Sequence, residues 1–167
     1  MPKRPLLALL LTAGLLPACA DAAPDQSQLP PDRRVATRYG AELRVRLDEM
    51  EARPTGLHVQ DVVVGEGMRA DSGDVAMVHY TGWLPSGVQF DTSRDGRPLE
   101  VALGYGRVIA GWDQGVVGMR VGGRRRLIVP PGLGYGDEGR GRIPSNSTLV
   151  FDVELLEVVD RTPGTAP

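Results

Sequence analysis

The side chains that most often make or break bonds are thinly spread in this chain. Its 167 residues hold 2 histidines, His58 and His79, and a single cysteine, Cys19. Both histidines lie in strand-like runs, so a His-based nucleophile relay or a multi-His metal site has little material, and we expect neither metal nor cofactor. Asp137 and Glu138 are neighbours in a glycine-rich stretch and read as a solvated loop tip. Gly104-Tyr105-Gly106 and Gly132-Leu133-Gly134-Tyr135-Gly136 lack the lysine of a phosphate loop and a following nucleotide-binding helix, which argues against nucleotide binding. What the chain concentrates is aromatic surface. Of 2 Phe, 2 Trp and 4 Tyr, only Tyr39 precedes position 80. Tyr80, Phe90, Trp112, Tyr135 and Phe151, set among glycines, are material for a dry, aromatic-walled cup that holds a ligand without bonding to it. The same residues would equally suit a plain core, because a concave apolar pocket and a core look alike in sequence.

Composition narrows the partners. With 41% hydrophobic and 24% charged residues the chain can build one ordinary domain plus tails. A formal net charge of -2 offers none of the basic surplus that drives phosphate contacts, so no nucleic acid partner is expected. The basic cluster Arg124-Arg125-Arg126 reads as part of a strand whose alternate residues face water, with Leu127 and Val129 continuing the apolar pattern.

The first residues have the order of an export signal: Lys3 and Arg4, an apolar run over 6–16, then Pro17-Ala18-Cys19-Ala20. The run is too short for a stable membrane span. We therefore expect a signal segment over 1–20 and an exported protein. Leu16-Pro17-Ala18-Cys19 resembles a bacterial lipobox, in which Cys19 would be lipidated and become the first mature residue, and an acyl anchor would be its membrane attachment. The alternative is cleavage after Ala20 or Ala23, which would release a soluble periplasmic protein. A lone cysteine leaves no intrachain disulfide even in an oxidising compartment.

Positioning the aromatic residues requires a scaffold, and the pattern of the chain supplies one. Residues 21–34, with Pro24, Pro30 and Pro31 among polar residues, read as a tether. Over 35–53 a helical spacing of Val35, Tyr39, Leu43 and Leu47 competes with the alternation of Leu43, Val45 and Leu47; we read the stretch as an extended arm, closing a linker-and-arm region over 21–55. From there strands are predicted at 57–64, 75–83, 124–130 and 148–159, separated by turn residues such as Asp71-Ser72-Gly73 and Pro85-Ser86-Gly87. One helix is predicted at 109–119, where Ile109, Trp112 and Val116 share a face. Gly111, Gly115 and Gly118 each cost about 1 kcal/mol in a helix interior, so this helix must draw its stability from packing on a sheet. The fold class is α+β, a twisted antiparallel sheet curling around one short helix. The domain is expected over 56–160, with a disordered tail over 161–167.

Five segments in order, Val78-His79-Tyr80-Thr81-Gly82, Phe90-Asp91-Thr92-Ser93-Arg94, Val108-Ile109-Ala110-Gly111-Trp112, Tyr135-Gly136 and Thr148-Leu149-Val150-Phe151-Asp152-Val153, resemble the FKBP-type peptidyl-prolyl cis-trans isomerases. The resemblance runs through roughly two thirds of the chain. It implies a pocket between helix and sheet, with Trp112 as floor beneath a proline ring and Tyr80, Phe90, Val108, Ile109 and Phe151 as walls. It also implies that the Tyr135 hydroxyl and the Ile109 backbone N–H bind substrate carbonyls, with Asp91 at the rim. Tyr80, Asp91 and Tyr135 are thus the expected catalytic residues, and proline-containing polypeptides and macrolide inhibitors the expected ligands. Two places depart from the common family pattern. Leu99, still a substrate-binding candidate, stands where many members carry an aromatic residue. Arg140-Gly141-Arg142 stands where many have smaller or apolar residues; both departures bear on peptide preference.

The function expected is acceleration of X-Pro isomerisation in secreted or envelope proteins. Its rival is a non-catalytic peptide-binding module or holdase using the same cup. Help given to a client without rate-limiting prolines would favour the rival.

Overall fold

The computed structural model describes residues 39–159. The predicted signal segment, Cys19, the tether and the tail lie outside the described residues. Seven strands, β1 (Glu51–Ala52), β2 (His58–Val63), β3 (Val75–Trp83), β4 (Gln89–Thr92), β5 (Leu99–Ala102), β6 (Arg124–Val129) and β7 (Leu149–Val159), form one sheet in the order β1-β2-β6-β7-β3-β4. Every pairing is antiparallel, and β5 shares an edge of β3 with β4. The N-terminal half of β3 pairs with β5 and its C-terminal half with β4. The one α-helix among the described residues, α1, spans Ala110–Gly115. This is the α+β architecture that the residue pattern predicts, and the four predicted strands appear within a residue of their expected ends.

Period-two alternation decides what each face of the sheet buries. Leu127 and Val129 of β6, with Leu149, Phe151, Val153 and Leu155 of β7, join Ala76, Val78, Trp112 and Val116 in the main core. Ile128 and Val150 point the other way into a second cluster with Leu43, Met50 and Trp83. Two glycines bring α1 onto the first face. A Cβ at Gly111 would lie 2.5 Å from a Val129 methyl, and one at Gly115 would lie 2.7 Å from Leu127, so bare backbone is what lets helix and strand approach. The helical cost of those glycines is offset by that contact.

Three expectations need correction. The helix starts near the predicted place but ends at Gly115, not Met119. Gly118 takes a φ of 87° and donates its N–H to Ala70, which turns the chain out of the helix. The arm is not simply extended: it makes two 3-10 turns, Ala41–Leu43 and Leu47–Glu49, before the short β1. Its apolar residues thereby reach the second cluster. Finally, the basic run follows its alternation only in part: Arg124 is exposed and Arg125 shares the buried face of Leu127 and Val129, but Arg126, expected to face water, is half-buried. Arg125 is buried, gripping both carboxylate oxygens of Asp61 at 2.7 and 2.9 Å and donating to the carbonyls of Gly115 and Val117. Arg126 pairs with Asp152 at 2.6 and 2.7 Å and reaches back to the Leu43 carbonyl, and the Asp152 carboxylate raises its already high pKa further.

The unpredicted strands β4 and β5 are short edge elements of mixed composition, Gln-Phe-Asp-Thr and Leu-Glu-Val-Ala. Nothing in their local pattern exceeds a turn-rich loop; pairing with β3 makes them strands.

Candidate active site

Main-chain pairing places the aromatic residues before any side-chain contact does. β3 carries Tyr80, β4 carries Phe90 and Asp91, β7 carries Phe151, and α1 carries Trp112. Phe151 stands opposite Gly82 on β3 and Leu127 on β6. A Cβ on Gly82 would fall 2.6 Å from the Phe90 ring and 2.9 Å from the Phe151 ring, so glycine there makes room for both. The four rings then interlock edge to face. Tyr80 meets Trp112 at 5.0 Å and 86°, Trp112 meets Phe151 at 5.4 Å and 88°, and Phe90 meets Phe151 at 5.6 Å and 88°. Each such pair contributes about 0.5–1.5 kcal/mol beyond its buried area, which makes the wall stiff.

These rings bound a cavity of about 480 Å³, within the usual range for a small-ligand site. Tyr80, Phe90, Asp91, Leu99, Val108, Ile109, Trp112, Tyr135 and Phe151, the nine site residues expected within the domain, all line it. Trp112 is 3% exposed, and its Nε1 is the buried side-chain polar atom left without a protein partner among the described residues. Gly106, Arg107, Ala110, Gly134 and Arg140 complete the lining. Arg107 went unrecognised because its pattern is that of a solvated loop residue; the only signal was its place directly before the Val108 segment.

Polar anchors fix the rim. The Tyr80 N–H donates to Ser93 Oγ at 3.0 Å, and Thr92 Oγ1 donates to the Tyr80 carbonyl at 2.9 Å. The Tyr80 hydroxyl donates to Asp91 Oδ2 at 2.5 Å, while Asp91 Oδ1 accepts the Thr92 N–H at 2.9 Å. Burial first, and then the adjoining Asp91 carboxylate, push the Tyr80 phenol above its ordinary range, so it stays protonated as a donor. Asp113 of α1 accepts the N–H groups of Gly104 and Gly106 at 3.0 and 2.9 Å and so holds the loop that delivers Val108 and Ile109. At the N-cap of α1, the Ile109 N–H meets no acceptor among the described residues, as the open first turn of a helix allows. Tyr135 follows the 3-10 turn Pro131–Leu133; Arg140 lies 5.6 Å over its ring. The site is thus an apolar cup with a phenol–carboxylate pair on one wall and an unengaged backbone donor on another. It can desolvate an uncharged group and orient its carbonyls.

Residues 66–156, just over half of the chain, match the family model for the FKBP-type peptidyl-prolyl cis-trans isomerases. Among curated relatives, the "FK506-binding protein" of Neisseria meningitidis serogroup B is 50% identical over 107 residues, covering 63% of this chain and 98% of that protein. "FK506-binding protein 4" of Gibberella zeae is 50% identical over 103 residues, 62% of this chain; the chain spans only 21% of that longer relative. Among solved structures, FkpA from Escherichia coli superposes with a TM-score of 0.63 at 42% identity, over 70% of this chain and 55% of that one. Sheet order, helix, aromatic cup and sequence lead to one family: this chain belongs to the FKBP-type peptidyl-prolyl cis-trans isomerases.

Proposed function

We propose that the domain catalyses cis-trans isomerisation of X-Pro bonds in exported polypeptides, a slow step of about tens to hundreds of seconds when uncatalysed. The observation that carries this reading is the cavity walled by Tyr80, Phe90, Trp112 and Phe151 with Asp91 at its edge. Rotation about the amide C–N bond costs about 18–20 kcal/mol because resonance gives it double-bond character. Water stabilises the planar, polar amide by hydrogen bonding. A prolyl amide seated on Trp112 loses that water, while the Ile109 N–H and the Tyr135 hydroxyl hold its flanking carbonyls in a geometry suited to the twisted bond. No bond is broken. An acceleration of about 10⁴ to 10⁶ needs about 5.5–8 kcal/mol of preference for the twisted form.

In this reading Trp112 is the floor, Phe90, Leu99, Val108, Ile109 and Phe151 are the walls, and Tyr80, Asp91 and Tyr135 are the polar catalytic groups, a reading supported by their lining one cavity. In a proline-tetrapeptide assay, kcat/KM of Asp91→Ala and Trp112→Ala, both folded by circular dichroism, is expected to fall by at least about tenfold, the loss of some 1.4 kcal/mol of transition-state preference. Undiminished turnover in both variants would refute the reading. The same pocket is the site proposed for macrolide inhibitors. We further propose an isomerase domain over 56–160, carried by the arm and tether behind a signal segment over 1–20, with the mature protein in the periplasm or anchored through Cys19 to the envelope membrane. Among the described residues no helix is long and apolar enough to cross a membrane. A lipid adduct on Cys19, sought by mass spectrometry of the membrane fraction, is the expected result for the anchored form; a mature chain beginning at Asp21 or Pro24 would exclude it.

A further inference from the structure

Three arginines stand at the mouth of the cup, and none has a carboxylate partner among the described residues. Arg107 and Arg140 line the cavity itself, and Arg140 and Arg142 line an adjoining recess of about 380 Å³ that also touches Phe90, Asp91 and Tyr135. Elsewhere in the described residues Arg46, Arg53, Arg69, Arg94, Arg125 and Arg126 each lie within salt-bridge distance of an Asp or Glu, while Arg44, Arg97, Arg120 and Arg124 do not; what sets the three at the mouth apart is that they converge on one cavity. The arginines at the mouth are exposed but held. Arg140 and Ile143 exchange backbone hydrogen bonds at 2.9 and 2.8 Å, and buried Ile143 pins the base of this small loop. The Arg140 guanidinium lies over the Tyr135 ring, a cation–π contact that keeps the charge at the pocket edge. Arg107 follows Gly106, whose N–H is fixed by Asp113.

The one carboxylate among the described residues lining either recess is Asp91, a single negative charge against three guanidinium groups and in salt-bridge contact with none of them. Its Oδ2 accepts the Tyr80 hydroxyl and its Oδ1 accepts the Thr92 N–H. A chain crossing the cup with its proline on Trp112 must leave it in two directions, and Arg107 stands by the Val108–Ile109 wall while Arg140 and Arg142 stand by Tyr135. Building on the isomerase reading of this pocket, we infer that the site selects prolines flanked by acidic residues, with Arg107, Arg140 and Arg142 as the specificity-determining groups. Glu or Asp beside the proline meets an unpaired guanidinium; Lys or Arg there meets like charge.

The test uses peptides X-Pro-Z in which X and Z are both Glu, both Gln or both Lys, with isomerisation rates read by NMR exchange so that no protease biases the series. Exposed charge contacts each change rates by about 1.5- to 5-fold, so kcat/KM for the Glu peptide should exceed that for the Lys peptide by about tenfold at low salt. The ratio should shrink as salt shortens the Debye length from about 30 Å at 0.01 M to about 8 Å at 0.15 M. It should approach one in Arg107→Gln/Arg140→Gln/Arg142→Gln and persist when the same three positions become Lys. A ratio near one in the wild-type protein, or a preference that survives the triple Gln change, overturns the inference while leaving the isomerase reading intact. If no peptide is accelerated, that reading fails instead. The charge preference is then decided by affinities from chemical-shift titration of the same peptides, where equal binding of the Glu and Lys forms would overturn it.

Discussion

A phenol that is desolvated and donates to a carboxylate resists ionisation, and Tyr80 is in both situations. Its pKa is raised above the unfolded value of 10.0, so the stability it contributes is fully present below about pH 10 and is lost as the pH climbs above that. An ultraviolet difference titration of the folded protein should show a tyrosine that ionises later than in the denatured chain. In Tyr80→Phe that lag should be gone; an unchanged lag would mean that the late-ionising tyrosine is not Tyr80. The same bond leaves Asp91 with defined oxygens, which a rim group needs if it is to act on an amide passing over it. Tyr80 and Asp91 lie within segments that stand out in the sequence, but only the pairing of β3 with β4 brings the two side chains to 2.5 Å.

At the scale of elements, α1 poses a choice between intrinsic propensity and packing. Replacing Gly115 by Ala should gain about 1 kcal/mol of helix propensity. The added methyl, however, would sit 2.7 Å from both Leu127 methyls on a sheet that has little freedom to retreat, and overpacking of that kind costs about 1–3 kcal/mol. Packing should win: urea unfolding of Gly115→Ala is expected to show a net loss of stability, and a gain would mean that helix and sheet separate more readily than the structure implies. Arg125 ties the same end of the helix through its carbonyls. With Arg125→Met, Asp61 loses both its donors and the Gly115 and Val117 carbonyls lose theirs. Because Asp61 is partly exposed and can recover water, the expected loss is about 2 kcal/mol, below the cost of stranding a fully buried charge.

Across the whole molecule the sheet has two apolar faces, and a different part of the chain covers each. The helix covers one and encloses the cup; the arm covers the other, setting Leu43 and Met50 against Ile128 and Val150. Leu43 is 5% exposed. Leu43→Ala should therefore destabilise the protein by about 2 kcal/mol, the lower end for a buried leucine because the cluster is small. Since its contacts lie on the face away from Trp112 and Phe151, kcat/KM on a proline tetrapeptide should stay within about twofold of wild type. A large fall would mean that the two faces are coupled through β6 and β7.

Much of this architecture was written locally. The runs at 75–83, 124–129 and 149–159 are strands because β-branched and aromatic residues alternate there, and Ile109, Trp112 and Val116 announce a helix whose glycines require a sheet beside it. The family likeness added the pocket, which periodicity cannot distinguish from a core. Other features had no local signal. β4 and β5 are strands only because β3 offers them an edge; the helix stops early because Gly118 turns back to Ala70; and Arg126, by its place on the alternate face of a basic run, reads as solvated until Asp152 and the Leu43 carbonyl arrive from 26 and 83 residues away. Amino-acid type and spacing determine which residues are apolar, which turn and which alternate, since those are properties of neighbours along the chain. Which charges are buried and which are left unpaired at the cup depends on groups distant in sequence, and tertiary structure alone decided that.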